Sequence, residues 1–335
     1  MQCNYCEWRC ELIHGRMGRC KMYYEDDGTI RERFPHLWSS YTLAHIESLP
    51  FYHAYPGSRS LSVGTLGCNF DCQYCSNAFV AKQDPQVMQT WTYNLLPEKI
   101  VEIAQKTGSH NIVFNINEPV VSLPTLLEVA ELARAADIPL GCLTNGYMTE
   151  ESTALMASAF TFINISLKGF TSDFYRQYTG INNIEPILRN IASLARSSHL
   201  EIVTPVIPSV NDADLNDIAS FIADINPDIP WHVFRLLPEY KMKDTDYPSI
   251  EETNQALYRA RKLLHYVYFH NFVGSDWVNT ICPDCGEILI ERLSLGCGGD
   301  RLLNYKCSGE QCPHCGQEIR VYGGMVPWNK AEVAR

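Results

Sequence analysis

Of the fourteen cysteines in this 335-residue chain, all but Cys142 fall into three bunches, at residues 3 to 20, 68 to 75 and 282 to 315. Thiols serving only as core filler would scatter. The opening MQCNYCEWRC lacks the apolar stretch of a secretion signal, and no run approaches the roughly eighteen apolar residues that a spanning helix needs. The expected location is therefore the cytoplasm, away from any membrane. The cytosol keeps thiols reduced, so tight pairs such as Cys3/Cys6, Cys282/Cys285 and Cys312/Cys315 read as ligands of metal ions or clusters rather than as disulfides.

Composition narrows the class further. Hydrophobic residues make up 46% and charged ones 19%, with no low-complexity tract, which excludes a disordered or fibrous chain. The 27 basic residues are outnumbered by 38 acidic ones, for a net charge of −11. That balance disfavours the phosphate-neutralising surface of non-specific nucleic-acid binding, though it leaves room for a local basic patch.

Between residues 61 and 275, short apolar runs alternate with helical patterns. Strands are expected at Leu61 to Val63, Ile112 to Asn115, Leu140 to Thr144, Phe162 to Ser166, Glu201 to Val206, Trp231 to Leu236 and Tyr266 to Phe269, with the continuous hydrophobicity of buried parallel strands. Ile184, Ile187, Leu188, Ile191, Leu194 and Ala195 recur at helical spacing behind Asn183, a plausible N-cap. Ala256, Leu257, Ala260, Leu263 and Leu264 repeat the pattern. Six or seven such units predict an α/β fold, a partial or complete (β/α) barrel, whose functional residues gather at the C-terminal ends of the strands.

Around this barrel (61–275) the expected organisation is an N-terminal cysteine module (1–25), a connector (26–60) with a hairpin turn at Asp26, Asp27 and Gly28, a C-terminal metal module (276–323) and a tail (324–335). The polar segment Lys241 to Ser249 is expected to be a long loop near the barrel mouth.

The loop after the first strand reads GTLGCNFDCQYCSN and spaces Cys68, Cys72 and Cys75 as CxxxCxxC. Three thiolates hold three irons of a four-iron cluster and leave the fourth open. A structural zinc would want a fourth ligand nearby, and Asn69, Asp71 and Asn77 are poor substitutes for Cys or His. The motif CNFDCQYC, with Tyr74 before its last cysteine, resembles the signature of radical S-adenosylmethionine (SAM) enzymes. The resemblance implies a 4Fe–4S cluster whose open iron chelates SAM, reductive cleavage to a deoxyadenosyl radical, and a reductant of the flavodoxin or ferredoxin type.

On that resemblance, further strand ends take roles at the cofactor. Asn117 and Glu118 follow the second strand, where related enzymes place a glycine-rich turn and an acidic residue near the SAM amino group; the residue before Pro119 is also a plain candidate for an ordinary turn. Asn145 follows the third strand and is expected at the ribose or carboxylate. Ser166 and Lys168 stand where activating enzymes carry an Asp-x-Lys pattern, with serine in place of the aspartate. Lys168 suits a carboxylate as a point charge, or a solvated loop. On the sixth strand His232 and Arg235 are three apart and cannot share one face. Arg235, a charge inside an apolar run, demands a partner, either the cofactor carboxylate or a structural salt bridge.

Over nearly the whole length the chain resembles the radical SAM proteins of the AmmeMemoRadiSam system, similar in turn to pyruvate formate-lyase activating enzymes. The resemblance rests on the opening C-x2-C-x3-C with GRC, PFYHAYPGSRSLSVGTLGCN, the NEP turn, TNGY, NISLKGF, IPSVND, HVFRLLPEYKM, and the closing ICPDCGEILIER with CPHCG. It implies an activating-enzyme-like abstraction of hydrogen, from a polypeptide or else from a small molecule or RNA, and Memo-like and AMMECR-like partners. Ser166, Ser76, Cys297 and Cys307 depart from the pattern.

CPDCG and CPHCG resemble two rubredoxin-type knuckles that aim Cys282, Cys285, Cys312 and Cys315 at one ion, zinc first and iron or an auxiliary cluster second. Cys297 and Cys307 are spare. Cys3, Cys6, Cys10 and Cys20, with His14 nearby, suit zinc or an auxiliary iron–sulfur cluster. Both modules also read as staples for segments too short to bury a core. A different class, a non-catalytic zinc-knuckle binding protein, would leave the CxxxCxxC loop inside a βα unit unexplained.

Overall fold

The computed structural model describes residues 1–13 and 15–326; His14 and most of the expected tail lie outside the described residues. A hairpin of β1 (Tyr23–Asp26) and β2 (Thr29–Glu32) turns through Asp27 and Gly28, both at positive φ, which is the geometry an Asp-Gly turn supplies. The central sheet then runs β3 (Ser40–His45), β4 (Arg59–Gly64), β5 (Asn111–Phe114), β6 (Leu140–Thr144), β7 (Phe162–Ser166), β8 (His199–Val206), β9 (Trp231–Arg235) and β10 (Val267–His270).

The eight strands pair in sequence order, β4 to β10 all parallel, with β3 antiparallel on β4. Among the described residues no pairing joins β3 to β10, so the barrel is partial. The seven parallel strands match the apolar runs of the sequence, two of them to the residue. The segment expected as a mere connector instead contributes β3. That strand has mixed, half-exposed residues and is specified by the neighbour it pairs with, not by its own pattern.

Helices cross over between strands. In the helix Glu185–Leu194, Ile187, Ile191 and Leu194 are fully buried against the sheet, each contributing about 1.5–3 kcal/mol of apolar burial. Its N-cap is Ile184, one residue later than expected, although the Asn183 side chain still accepts from the Glu185 amide at 3.0 Å. The helix Ile250–Ala260 is capped by Ser249, which accepts from the Glu252 amide at 3.2 Å. No helix among the described residues is long and apolar enough to cross a membrane.

Residues 46–56 fill the concave side of the sheet from within: Ile46, Leu49, Phe51 and Ala54 form one cluster with Val113 and Phe162. The Asn164 amide ties Pro50 O at 2.8 Å, so this plug forms a floor under the C-terminal strand ends. A three-stranded antiparallel sheet, β11 (Thr280–Ile281), β12 (Ile288–Ser294) and β13 (Asp300–Tyr305), packs on the plug and on β10 through Tyr52, Tyr266, Tyr268, Leu289 and Ile290.

Candidate active site

A cavity of about 360 Å³ opens at the C-terminal ends of all seven parallel strands. Cys68, Cys72, Cys75 and Tyr74 line one side; Asn117, Glu118, Asn145, Ser166, Lys168 and Arg235 line the rest, over a floor that includes Ser48 and Pro50. Strand ends so far apart in sheet order reach one cavity because the sheet curls around its plug.

The loop carrying the cysteines is held by residues of the second strand end. Asn117 accepts from the Thr65 amide at 2.9 Å and donates to Thr65 Oγ1, Leu66 O and Gly67 O, each at 3.0 Å. Asn77 donates to Ile116 O at 2.9 Å from the other end of the loop. Ile116 has φ +78°, a left-handed conformation that a β-branched side chain adopts only under strain. Glycine is required at Gly67, with φ +75°, because a Cβ would come within 2.9 Å of Met22.

Glu118 is 3% exposed, and both its carboxylate oxygens are partnered. Oε1 accepts from Thr144 Oγ1 at 2.7 Å and from the Val120 amide at 3.2 Å; Oε2 accepts from the Asn145 amide at 2.7 Å. Burial raises its carboxyl, partly offset by these donors. Glu118 therefore fixes the turn that presents Asn145. The Asn145 side chain donates to Asn69 Oδ1 at 2.7 Å and stands 3.9 Å from Cys68 Sγ.

Burial also pushes the three thiols up, Cys68 to about 11, while Lys82 pulls all three back and Lys168 acts on Cys72 and Cys75. Two cations facing three thiols suit an anionic iron–sulfur body, whose assembly must release the thiol protons. Among the described residues, the only thiols, imidazoles or carboxylates that gather in threes or more within 4.8 Å are Cys282, Cys285, Cys312 and Cys315. Cys68, Cys72 and Cys75 thus stand wider than a single ion would hold them and have no fourth ligand at that distance. The donor set fits a cluster with one open corner.

Tyr74 is buried with its hydroxyl unpartnered, and Lys168 Nζ lies 6.0 Å from its ring centre. Arg235 contacts Pro248 O at 3.3 Å and the Tyr247 ring at 4.6 Å, contacts that belong to the long loop after β9 rather than to a carboxylate. That loop returns over the cysteines, where Lys241 N donates to Gln73 O at 2.9 Å.

His232 does not reach the cavity. It is fully buried beneath the floor, with Nε2 2.6 Å from Glu201 Oε2 and Nδ1 2.9 Å from His270 Nε2. Its position three residues before Arg235 puts it one layer down. Lys82 and Phe234 line the cavity and were not expected from the sequence; a lone lysine seven residues after Cys75 was the available signal.

In the C-terminal module the knuckles superpose in kind. Gly286 N donates to Cys282 O and Gly316 N to Cys312 O, with both glycines at positive φ. Cys282 and Cys315 sulfurs are 3.6 Å apart, as are those of Cys285 and Cys312. A tetrahedral ion with bonds of about 2.3 Å sets sulfurs about 3.8 Å apart, so one zinc or iron ion fits. Cys297 and Cys307 stay outside this group.

The sequence profile of the Radical SAM superfamily matches residues 62–222. The chain is 29% identical over 327 residues to an uncharacterized protein of Methanocaldococcus jannaschii, covering 96% of this chain and 95% of the other. Another protein of that organism, named as an activating enzyme for glycyl-radical enzymes, is 25% identical over 216 residues, 63% of this chain and 80% of its own. The GTP 3′,8-cyclase of Pasteurella multocida is 24% identical over 162 residues, and this chain spans 47% of its length, as it does of this one.

Proposed function

We propose, from the premise that this chain is an enzyme with a radical SAM domain over residues 62–222, that it acts on a polypeptide by hydrogen abstraction. A four-iron cluster on Cys68, Cys72 and Cys75 supplies, when bound, the electron that cleaves SAM to methionine and a deoxyadenosyl radical. The observation that carries the reading is the cavity itself, with three thiols on one side and cationic and amide groups at the other strand ends.

Each residue then has a task. Lys168 and Arg235 supply positive charge for the methionine carboxylate. Glu118 locks the Asn145 turn, which offers an amide to the cofactor, and Tyr74 walls the cluster side. Phe234 and Leu236 give the apolar wall that excludes water. In a site of low dielectric these few charges act more strongly than they would in water.

A polypeptide substrate is favoured by the surface beside the cysteine loop. Phe79, Val87, Trp91 and Leu96 are 57, 66, 70 and 60% exposed, and the Phe79 and Trp91 rings are 6.4 Å apart. Exposed apolar residues grouped near a site suit a macromolecular contact. A small-molecule substrate is the second reading, favoured by the cyclase relative. The motifs shared with the AmmeMemoRadiSam proteins support Memo-like and AMMECR-like partners and a low-potential reductant of the flavodoxin or ferredoxin class.

The test is anaerobic reconstitution followed by SAM and dithionite. Deoxyadenosine forms in the wild type and not in Cys68→Ala, Cys72→Ala or Cys75→Ala. Cluster-replete protein that neither binds nor cleaves SAM would refute the reading.

A further inference from the structure

The N-terminal thiols are spaced differently from those of the C-terminal module. In the same structure, four cysteines that suit one ion stand with sulfurs 3.6 Å apart and all within 4.8 Å. No three of Cys3, Cys6, Cys10 and Cys20 meet that spacing, and neither do Cys68, Cys72 and Cys75. Yet the N-terminal four are drawn together: Cys3 N donates to Cys10 O at 2.8 Å, Arg9 N to Cys6 O at 3.0 Å, and the Arg19 amide, next to Cys20, to Cys10 Sγ at 3.4 Å. Thiols that are close but wide of a single ion are arranged as the cluster-type triplet is.

Their backbone environment points the same way. The Arg19 amide donates to Cys10 Sγ at 3.4 Å, as the Phe70 amide does to Cys68 Sγ at 3.4 Å in the triplet. Hydrogen bonds from amides to sulfur stabilise thiolates at metal and cluster sites. The segment is pinned in this shape by Cys3 N to Cys10 O at 2.8 Å, and it docks through Thr149 Oγ1 to Asn4 O at 2.6 Å and Arg189 to Glu7 at 2.9 Å.

The docking site is the back of the cysteine loop. Trp8 Nε1 donates to Asn69 O at 2.8 Å. Asn69 follows Cys68 directly and also accepts from Asn145 at 2.7 Å. Asn69, next to Cys68 of one thiol set, is thus joined directly to Trp8, two residues after Cys6 of the other.

We propose that Cys3, Cys6, Cys10 and Cys20 hold a second, fully ligated four-iron cluster that relays electrons through the Asn69 contact to the cluster on Cys68, Cys72 and Cys75. One electron enters from a low-potential donor of the reduced flavodoxin or ferredoxin class, reduces the second cluster, and passes to the first, which the second cluster's reoxidation balances. No bond or proton moves. The relay role rests on the function proposed above; the existence of the second cluster does not.

The experiment counts acid-labile sulfide, which single-ion sites do not contain, in anaerobically reconstituted protein. The wild type should hold about eight per chain and the Cys68→Ala/Cys72→Ala/Cys75→Ala variant about four, with a reduced-state EPR signal that SAM leaves unchanged. Wild type with about four, and the triple variant with none, overturns the proposal, whether the N-terminal thiols then carry zinc or nothing. If the triple variant does not fold, the wild-type count decides alone. Eight sulfides without SAM cleavage would uphold the second cluster while defeating the proposed activity. If two clusters are present but Asn69→Val leaves the rate of reduction of the first by the flavodoxin-class donor unchanged, the relay is refuted.

Discussion

Glu201, on β8, ties the plug to the central sheet. It is fully buried and accepts four hydrogen bonds: from the Tyr52 amide at 3.0 Å, the His53 amide at 2.9 Å, His199 Nε2 at 2.9 Å and His232 Nε2 at 2.6 Å. Replacing it by glutamine turns one oxygen into an amide that faces two donors. The histidine of that pair can change tautomer and accept, but the backbone N–H cannot. Glu201→Gln therefore leaves one buried amide without an acceptor, a cost of about 1–3 kcal/mol, and removes charge assistance from the remaining bonds, so the total is about 3–5 kcal/mol.

At about 2 °C per kcal/mol for a chain of this size, the melting temperature should fall by about 6–10 °C at equal metal content. Thermal and urea unfolding of matched, metal-loaded proteins measure it. The difference should narrow in acid. Burial alone would raise the Glu201 carboxyl, but hydrogen bonds from His199 and His232 outweigh it and hold it well below the usual range. A depressed carboxylate stabilises the fold above its unfolded value, near 4.5, and loses that contribution as the pH falls through the folded value. A loss of under about 1 kcal/mol at pH 7 would show that the network is not tight and refute the reasoning.

Three further outcomes are expected. Asn117→Ala removes the four bonds that hold the start of the cysteine loop; stability should drop by about 2–3 kcal/mol, and reconstituted iron should fall while zinc does not, a split that unchanged iron content would contradict. Burial pushes the Glu32 carboxyl up to about 7, so the folded state binds its proton more tightly than the unfolded chain and stability falls as pH rises from near 4.5 to 7. Glu32→Gln cannot ionise and should gain about 1–3 kcal/mol on the wild type between pH 4 and pH 8 in urea titrations; a constant difference would disprove the assignment. Cys282→Ala or Cys315→Ala should lose the module's ion and its share of stability together, because ion binding there is also folding; variants that fold and keep the metal by elemental analysis would show the ligand set to be wrong.

What the sequence made legible follows from where physics is local. Parallel strands announce themselves as apolar runs because both faces are buried, and Leu140–Thr144 and Phe162–Ser166 begin and end where those runs do. The cysteine spacing was equally readable, since ligand geometry is written into short loops. Neither β3 nor the plug at residues 46–56 has a pattern of its own. Each is specified by the concave sheet it meets, a long-range fact that no window of sequence contains. His232 lies near the start of β9, away from the C-terminal strand end where the cavity opens, and its polarity answers the buried Glu201 instead. The rule that singled out Arg235, a charge within an apolar run, applies equally to Glu201 in HLEIVTPV and would have located His232's partner.

The most direct test of the central claim is the EPR spectrum of the dithionite-reduced protein, recorded with and without SAM. An open iron at the Cys68, Cys72 and Cys75 cluster predicts a signal whose g-values shift when SAM is added and which is missing from variants of those three cysteines. A reduced, cluster-replete protein with no SAM-responsive signal would contradict the account.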